Sequence, residues 1–311
     1  MDIRPTNQPF IKWTGSKRSQ AERIVGEFPE HIETYYEGFC GGCSVMHELL
    51  NQIYEGKRTC SKIVCSDLNK DLIYLFNMLL DKEKRWELYR FYCDLRDRLV
   101  RLSEWTSGEI TRQHVANCQD LYYQVREEYN EIEHGTELSA MMFYWITRNS
   151  INGLIRYNKN TGRFNASFHV GGRFGISAEK LKKVIESWAL VMDDFIAKGG
   201  TIEFLNQSYD DTIKDAKVGD VVYLDPPYAN IEDLYFGTKT DIEFLVESIK
   251  AAKKRGSKVI LSFDGKRESG TDMTVDVGDW WDRHEYLDSG NSPFRNTKGI
   301  PDMVYESLYI G

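Results

Sequence analysis

No apolar run in these 311 residues approaches the roughly 20 needed to cross a bilayer. The opening Met1-Asp2-Ile3-Arg4-Pro5 also lacks the apolar core of a secretory signal. Both absences point to a soluble cytoplasmic protein with no membrane partner. Cysteine is scarce: the six residues Cys40, Cys43, Cys60, Cys65, Cys93 and Cys118 are too few, outside a secretory context, to form a disulfide framework. Reduced thiols are expected. The spacings Cys40-x2-Cys43 and Cys60-x4-Cys65 only loosely match a zinc ribbon, and no metal is expected, because the first pair sits in a glycine turn and the second at a strand end. A basic excess is missing as well, since 40 Lys and Arg face 48 Asp and Glu for a formal charge of −8. That balance excludes an indiscriminate nucleic-acid binder. There is no internal repeat and no low-complexity segment, and the length suits one large or two smaller domains.

One local absence matters more. Between residues 138 and 178 there is no acidic side chain, while Arg148, Arg156, Lys159, Arg163 and Arg173 all fall there. A cationic surface on an otherwise acidic protein is expected. Within it, residues 148–165 interleave arginine and asparagine with apolar residues and turn glycines. That mix suits nucleic acid, because arginine can read guanine, asparagine can read adenine, and apolar side chains can wedge between bases. The plainer reading is a solvated basic hairpin.

The stretch that organises the rest is Val221-Val222-Tyr223-Leu224-Asp225-Pro226-Pro227-Tyr228. Four β-favouring residues predict a short buried strand, which the prolines stop because they lack the amide proton a ladder needs. Asp225 is thereby placed at a strand's carboxyl end, where open α/β sheets bind ligands. A solvated aspartate in a proline turn is the plainer reading. Further strands are expected at 33–37, 62–69, 201–205, 258–263 and 303–310, and helices at 45–54, 70–80 and 241–255. Ser19 is a candidate cap for a helix over 21–25. Lys17, just before that helix, could help hold a carboxylate or phosphate. The turn Gly38-Phe39-Cys40-Gly41-Gly42-Cys43-Ser44 between strand and helix would let backbone amides approach a cofactor, although it is not the dinucleotide fingerprint. Asp67 ends the next strand at about the interval at which an acid reaches ribose hydroxyls, and could instead cap the helix over 70–80.

From about residue 81 to 194 the composition turns to long charged helical segments rich in Arg, Glu and Tyr. The expected organisation is a discontinuous domain of residues 1–80 and 201–311, with an inserted, mostly helical domain over 81–200.

In this order the motifs resemble the DNA adenine-N6 methyltransferases of the Dam type, the D12 class in its alpha arrangement. Lys12 to Lys17 is similar to the amino-terminal cofactor motif, Glu37 to Ser44 to the glycine loop, and Asp67-Leu68-Asn69 to the acidic motif. Asn152 to Asn158 is similar to the target-recognition hairpin, and Asp225-Pro226-Pro227-Tyr228 to the catalytic signature. The resemblance implies an α/β fold: a Rossmann-like S-adenosylmethionine-dependent methyltransferase sheet with an inserted, mostly helical target-recognition domain. It implies S-adenosylmethionine bound by Trp13, Lys17, Phe39, Gly41, Asp67, Ser208, Tyr209 and Asp225. It implies double-stranded DNA met by Lys12, Asn152, Leu154 and Arg156 at bases and by Asn158, Asn165 and Arg173 at phosphates. A bacterial or phage-infected cell, and a companion restriction enzyme, are compatible with it.

Four residues depart from the family's pattern: Gly38 for a proline, Cys43 for a glycine, Ile151 for an intercalating aromatic and Ser167 for a proline. The first two predict a loop drawn differently, with Gly42 taking the strain. The last two set a GATC target in question.

The expected chemistry is methyl transfer to the N6 amine of a flipped-out adenine. Asp225 and the Pro226 carbonyl accept the amine hydrogens, and Tyr228 stacks on the base. Enzymes of this fold that act on RNA or on a protein glutamine are the alternatives, together with a catalytically silent DNA-binding protein. The hairpin argues against the former and the intact Asp225 motif against the latter.

Overall fold

The computed structural model describes residues 5–169, 174–227, 240–291 and 303–311. Its strands are β1 (His31–Glu37), β2 (Thr59–Ser66), β3 (Thr201–Leu205), β4 (Val221–Leu224), β5 (Lys258–Arg267), β6 (Arg283–Asn291) and β7 (Met303–Ile310). Its α-helices are α1 (Ala21–Gly26), α2 (Ser44–Tyr54), α3 (Lys70–Leu80), α4 (Lys84–Ser103), α5 (Arg112–Glu131), α6 (Glu137–Asn149), α7 (Ala178–Ala197), α8 (Tyr209–Ile213) and α9 (Ile242–Lys254). Two compact units emerge. The described residues of one are 16–68, 194–227, 240–291 and 303–311, and those of the other are 5–15, 69–169 and 174–193.

The first unit is built on a seven-stranded sheet of order β3-β2-β1-β4-β5-β7-β6. β3, β2, β1, β4 and β5 pair in parallel, and β7 runs antiparallel between β5 and β6. All four residues of β4 are buried, as a continuous apolar run in a covered parallel sheet should be. Val222 and Leu224 pack with Leu245, Ile249 and Ala252 of α9 and with Val259, Leu261 and Phe263 of β5. β6 was not foreseen. Its sequence, RHEYLDSGN, is charged rather than apolar, and it exists because β7 supplies the ladder partner. Ser19 caps nothing: the cap position of α1 belongs to Gln20, without a side-chain bond.

The second unit is helical. Phe10 packs with its ring centroid 5.1 Å from that of Tyr144 and 5.9 Å from those of Phe76 and Trp188. Residues 5–15 and 69–80, expected with the sheet, therefore belong to the helical unit. α3 is capped by Asn69, whose Oδ1 accepts from Leu72 N at 3.0 Å, rather than by Asp67. The buried Asp71 on α3 draws neighbouring elements together. It accepts from Tyr129 Oη on α5 at 2.6 Å, Ser139 Oγ on α6 at 2.6 Å, Gly135 N at 2.7 Å and His134 Nδ1 at 2.8 Å.

Candidate active site

In the sheet unit, parallel register sets Glu37 of β1 level with Cys65 of β2 and Tyr223 of β4. The residues that follow, Gly38, Asp67 and Asp225, consequently leave the sheet at one edge. It is the carboxyl edge, at the place where strand order reverses between β1 and β4. Pro226 and Pro227 then prevent β4 from continuing.

The Asp225 carboxylate meets Lys17 Nζ at 2.8 Å, and the same ammonium lies 3.4 Å from Glu306 Oε2 on β7. All three side chains are largely buried, with exposures of 18%, 5% and 12% for Asp225, Lys17 and Glu306. Burial pushes the Asp225 carboxyl up to about 6; Lys17 opposes the rise, while Glu306 and Asp264 add to it. Glu37 is buried more deeply and is pushed by desolvation to about 8, although Tyr35 Oη and Met46 N donate to its Oε2 at 2.8 and 3.1 Å. The carboxylates that Lys17 meets are the protein's own, Asp225 and Glu306.

The loop after β1 departs from expectation in a way the backbone explains. Gly38 donates its N–H to Tyr223 O at 3.4 Å, which a proline could not do. A Cβ on Gly38 would also lie 2.7 Å from Tyr209 Cβ and 3.0 Å from Leu224 Cδ2. The strain does not fall on Gly42. It falls on Gly41 at φ 44° and on Cys43 at φ 51°, a left-handed conformation costly for a residue with a Cβ. Gly41 N donates to Asp67 Oδ2 at 3.1 Å, tying the two motifs together. Asn206 Nδ2 donates to Asp67 O at 2.9 Å, bringing the turn after β3 alongside. There Ser208 stands at the amino end of α8, with its hydroxyl 3.3 Å from Asp211 Oδ2. The half-buried rings of Phe39 and Tyr209 stack at 4.8 Å and 24°. Thus Lys17, Phe39, Gly41, Asp67, Ser208, Tyr209 and Asp225 all lie in the sheet unit, whereas Trp13 lies in the helical unit.

In the helical unit the basic block proves less cationic than its sequence. Arg148 is buried at the end of α6 and donates to Pro9 O at 3.0 Å and to Phe10 O. Arg163 pairs with Glu127 at 2.9 Å and Glu131 at 2.6 Å, both on α5. A window free of acids in sequence is answered by acids from another helix. The hairpin itself is present: Tyr157 bridges Phe164, Asn158 N donates to Arg163 O at 2.8 Å, and Asn165 N donates to Arg156 O at 2.9 Å. Arg156 is exposed, and its Nε donates to Asn165 Oδ1 at 2.7 Å. Asn158 uses its side-chain oxygen within the turn, accepting from Asn160 N at 2.9 Å and Thr161 N at 3.1 Å. Asn152 is exposed at φ 55°, Leu154 is half-buried and Ile151 is 39% exposed. Lys12 lies against Gly153, where a Cβ would come 2.7 Å from that of Lys12. Tyr228 and Arg173 lie outside the described residues.

Glu306, Glu37 and Asn206 were not singled out from sequence. Glu306 sits in an alternating strand whose neighbours are set by the insertion of β7 between β5 and β6, which no local pattern announces. All six cysteines are free, and among the described residues no group of three or more His, Cys, Asp or Glu side chains is arranged to hold a metal. No helix among the described residues is long and apolar enough to cross a membrane.

An open parallel sheet with one antiparallel strand, carrying a glycine loop and two acids at its switch point, defines a Rossmann-like methyltransferase class of enzyme. The sequence profile of the D12 class N6 adenine-specific DNA methyltransferases matches residues 13–288, and the chain belongs to that family. The Type II methyltransferase M.CviBI of Paramecium bursaria Chlorella virus NC1A is 26% identical over 270 residues, covering 84% of this chain and 85% of its own. The DNA adenine methylase of Escherichia coli (strain K12) is 31% identical over 223 residues, 72% of this chain and 66% of that one. A DNA adenine methylase of Vibrio cholerae is 28% identical over 262 residues, 81% and 80% of the two chains. The protein is an adenine-specific DNA methyltransferase, and its reaction needs a methyl donor.

Proposed function

We propose that the methyl donor is S-adenosylmethionine, held in the sheet unit, and that Asp225 and Pro226 present the target amine to it. The observation that carries this reading is the convergence of Asp225, Asp67 and the loop of Gly38 to Cys43 at the switch point of one sheet. The residues present fit such a donor. Asp67 offers a carboxylate for ribose hydroxyls, and the half-buried Phe39 and Tyr209 offer ring faces for a purine. The loop amides stand on a backbone made close by Gly41, and the Ser208 hydroxyl adds to the polar lining. Bound there, the donor supplies an electrophilic methyl on a sulfonium.

The protein's part is to make the amine nucleophilic. The lone pair of an adenine N6 is delocalised into the ring, so it must be localised and aimed. A carboxylate at Asp225 and the carbonyl of Pro226 accept the two amine hydrogens and draw nitrogen toward tetrahedral geometry. Because the prolines restrict this backbone, the acceptors need little reorganisation. The adenine leaves the duplex first, at a cost of a few kcal/mol in pairing and stacking. The helical unit is the natural source of repayment, through Lys12, Asn152, Leu154 and Arg156 at bases and Asn158 and Asn165 at the backbone. A DNA substrate supports a cytoplasmic location.

The test is to incubate the protein with radiolabelled S-adenosylmethionine and unmodified duplex DNA, then map modified bases by sequencing. Label at N6 of adenine in one sequence context is expected. Label in RNA or protein alone would refute the reading.

A further inference from the structure

Glu306 reaches Lys17 from β7, two strands away from the end of β4 that carries Asp225. Were Lys17 paired with Asp225 alone, the two would form a closed ion pair, and the carboxylate would be occupied by its own lysine. A second buried carboxylate on the same ammonium is costly unless it does something, because each added buried charge needs its own compensation. The structure sets the two distances at 2.8 and 3.4 Å, so the ammonium is hydrogen-bonded to Asp225 and lies within the electrostatic reach of Glu306.

We propose that Glu306 is a positioning residue for methyl transfer: by competing for Lys17 it keeps the Asp225 carboxylate available to the hydrogens of the target amine. The inference rests on the role proposed for Asp225. Among the described residues, the groups that act on the Asp225 carboxyl include Lys17, Glu306 of β7, Asp264 of β5, Glu37 of β1 and the Tyr223 phenol of β4. Among these, Lys17 is the cation, and the carboxyls of Glu306 and Asp264 raise the Asp225 pKa as Lys17 lowers it. Glu306 also has no place in the proposed donor pocket or in the hairpin.

The experiment compares kcat/KM for DNA methylation against pH in the full-length enzyme and in Glu306→Gln and Glu306→Asp. Neutralising Glu306 leaves Lys17 to Asp225, so the acidic limb expected from the Asp225 carboxyl, itself pushed up to about 6, moves to lower pH. A limb displaced by about half a pH unit raises the rate at about pH 5, relative to the plateau, roughly threefold. The plateau kcat falls while KM for DNA stays constant, and Glu306→Asp returns the limb toward its original place. Carbon-13 NMR of the Asp225 carboxyl in the enzyme without substrate reads the same displacement independently of turnover. If the limb and the NMR titration both stay where they were in Glu306→Gln, while Asp225→Asn is inactive, this inference is overturned alone. Near-normal turnover by Asp225→Asn overturns it together with the reading on which it stands.

Discussion

Gly38 faces Tyr209 so closely that a Cβ on the glycine would lie 2.7 Å from the tyrosine Cβ. The contact joins the loop after β1 to the start of α8 and holds Phe39 stacked on Tyr209. Gly38→Ala must push that pair apart. A loss of roughly 1–3 kcal/mol in urea unfolding is expected, with weaker binding of S-adenosylmethionine by calorimetry. Unchanged values in both measurements would show that the loop yields freely.

Asp225→Ala should abolish methyl transfer and leave DNA affinity largely intact in a mobility-shift assay. With its carboxyl at about 6, the unaltered enzyme should lose about tenfold in kcat/KM per pH unit below that point, because the carboxylate is the acting form. Stability runs the opposite way. A carboxyl raised by folding contributes most below its ordinary value of 3.8, and this contribution is lost as pH rises through about 6. Turnover that stays flat from pH 4 to 8 contradicts the assignment.

Asp71 should behave as the opposite case. Burial works against its ionisation, but hydrogen bonds from His134, Ser139, Tyr129 and Gly135 outweigh burial and hold its carboxyl below the ordinary value of 3.8. Its stabilisation is therefore complete above that value and is lost as pH falls through the folded pKa. Asp71→Ala should cost about 3 kcal/mol or more, since several buried donors lose their acceptor at once. Acid unfolding followed by far-ultraviolet circular dichroism reads this directly, and a variant that unfolds at the same pH as the unaltered protein would count against the cluster.

Arg156 shares the arms of the hairpin with Asn165 through its Nε and Nη2, at 2.7 and 3.1 Å. If it reads a base, Arg156→Ala should relax discrimination at one position by about 1–3 kcal/mol. Competition between target duplexes that differ at single positions measures this. An equal loss on every duplex would instead identify a phosphate contact.

The parallel strands were legible because burial on both faces demands continuous apolar runs, as in Val221 to Leu224, and because turns and prolines punctuate them. Asp67 and Asp225 were legible for the same reason, since a residue at a strand's end needs no tertiary information to be placed there. β6 was not, because a charged edge strand such as RHEYLDSGN is made by its partner and not by its composition. The basic block misled in a related way. Glu127 and Glu131 approach Arg163 from α5, and the carbonyls of Pro9 and Phe10 take Arg148, all from residues distant in sequence.

The chain's own order of residues determined which side chains the proposed site draws on and on which strand ends they stand, because β-propensity and proline act locally. Only tertiary structure decided what surrounds them. The insertion of β7 beside β5 delivers Glu306 to Lys17, and the close approach of Tyr209 forces glycine at position 38. Electrostatics and packing depend on distance through space, and neither can be read along a sequence until the sheet has set its strand order.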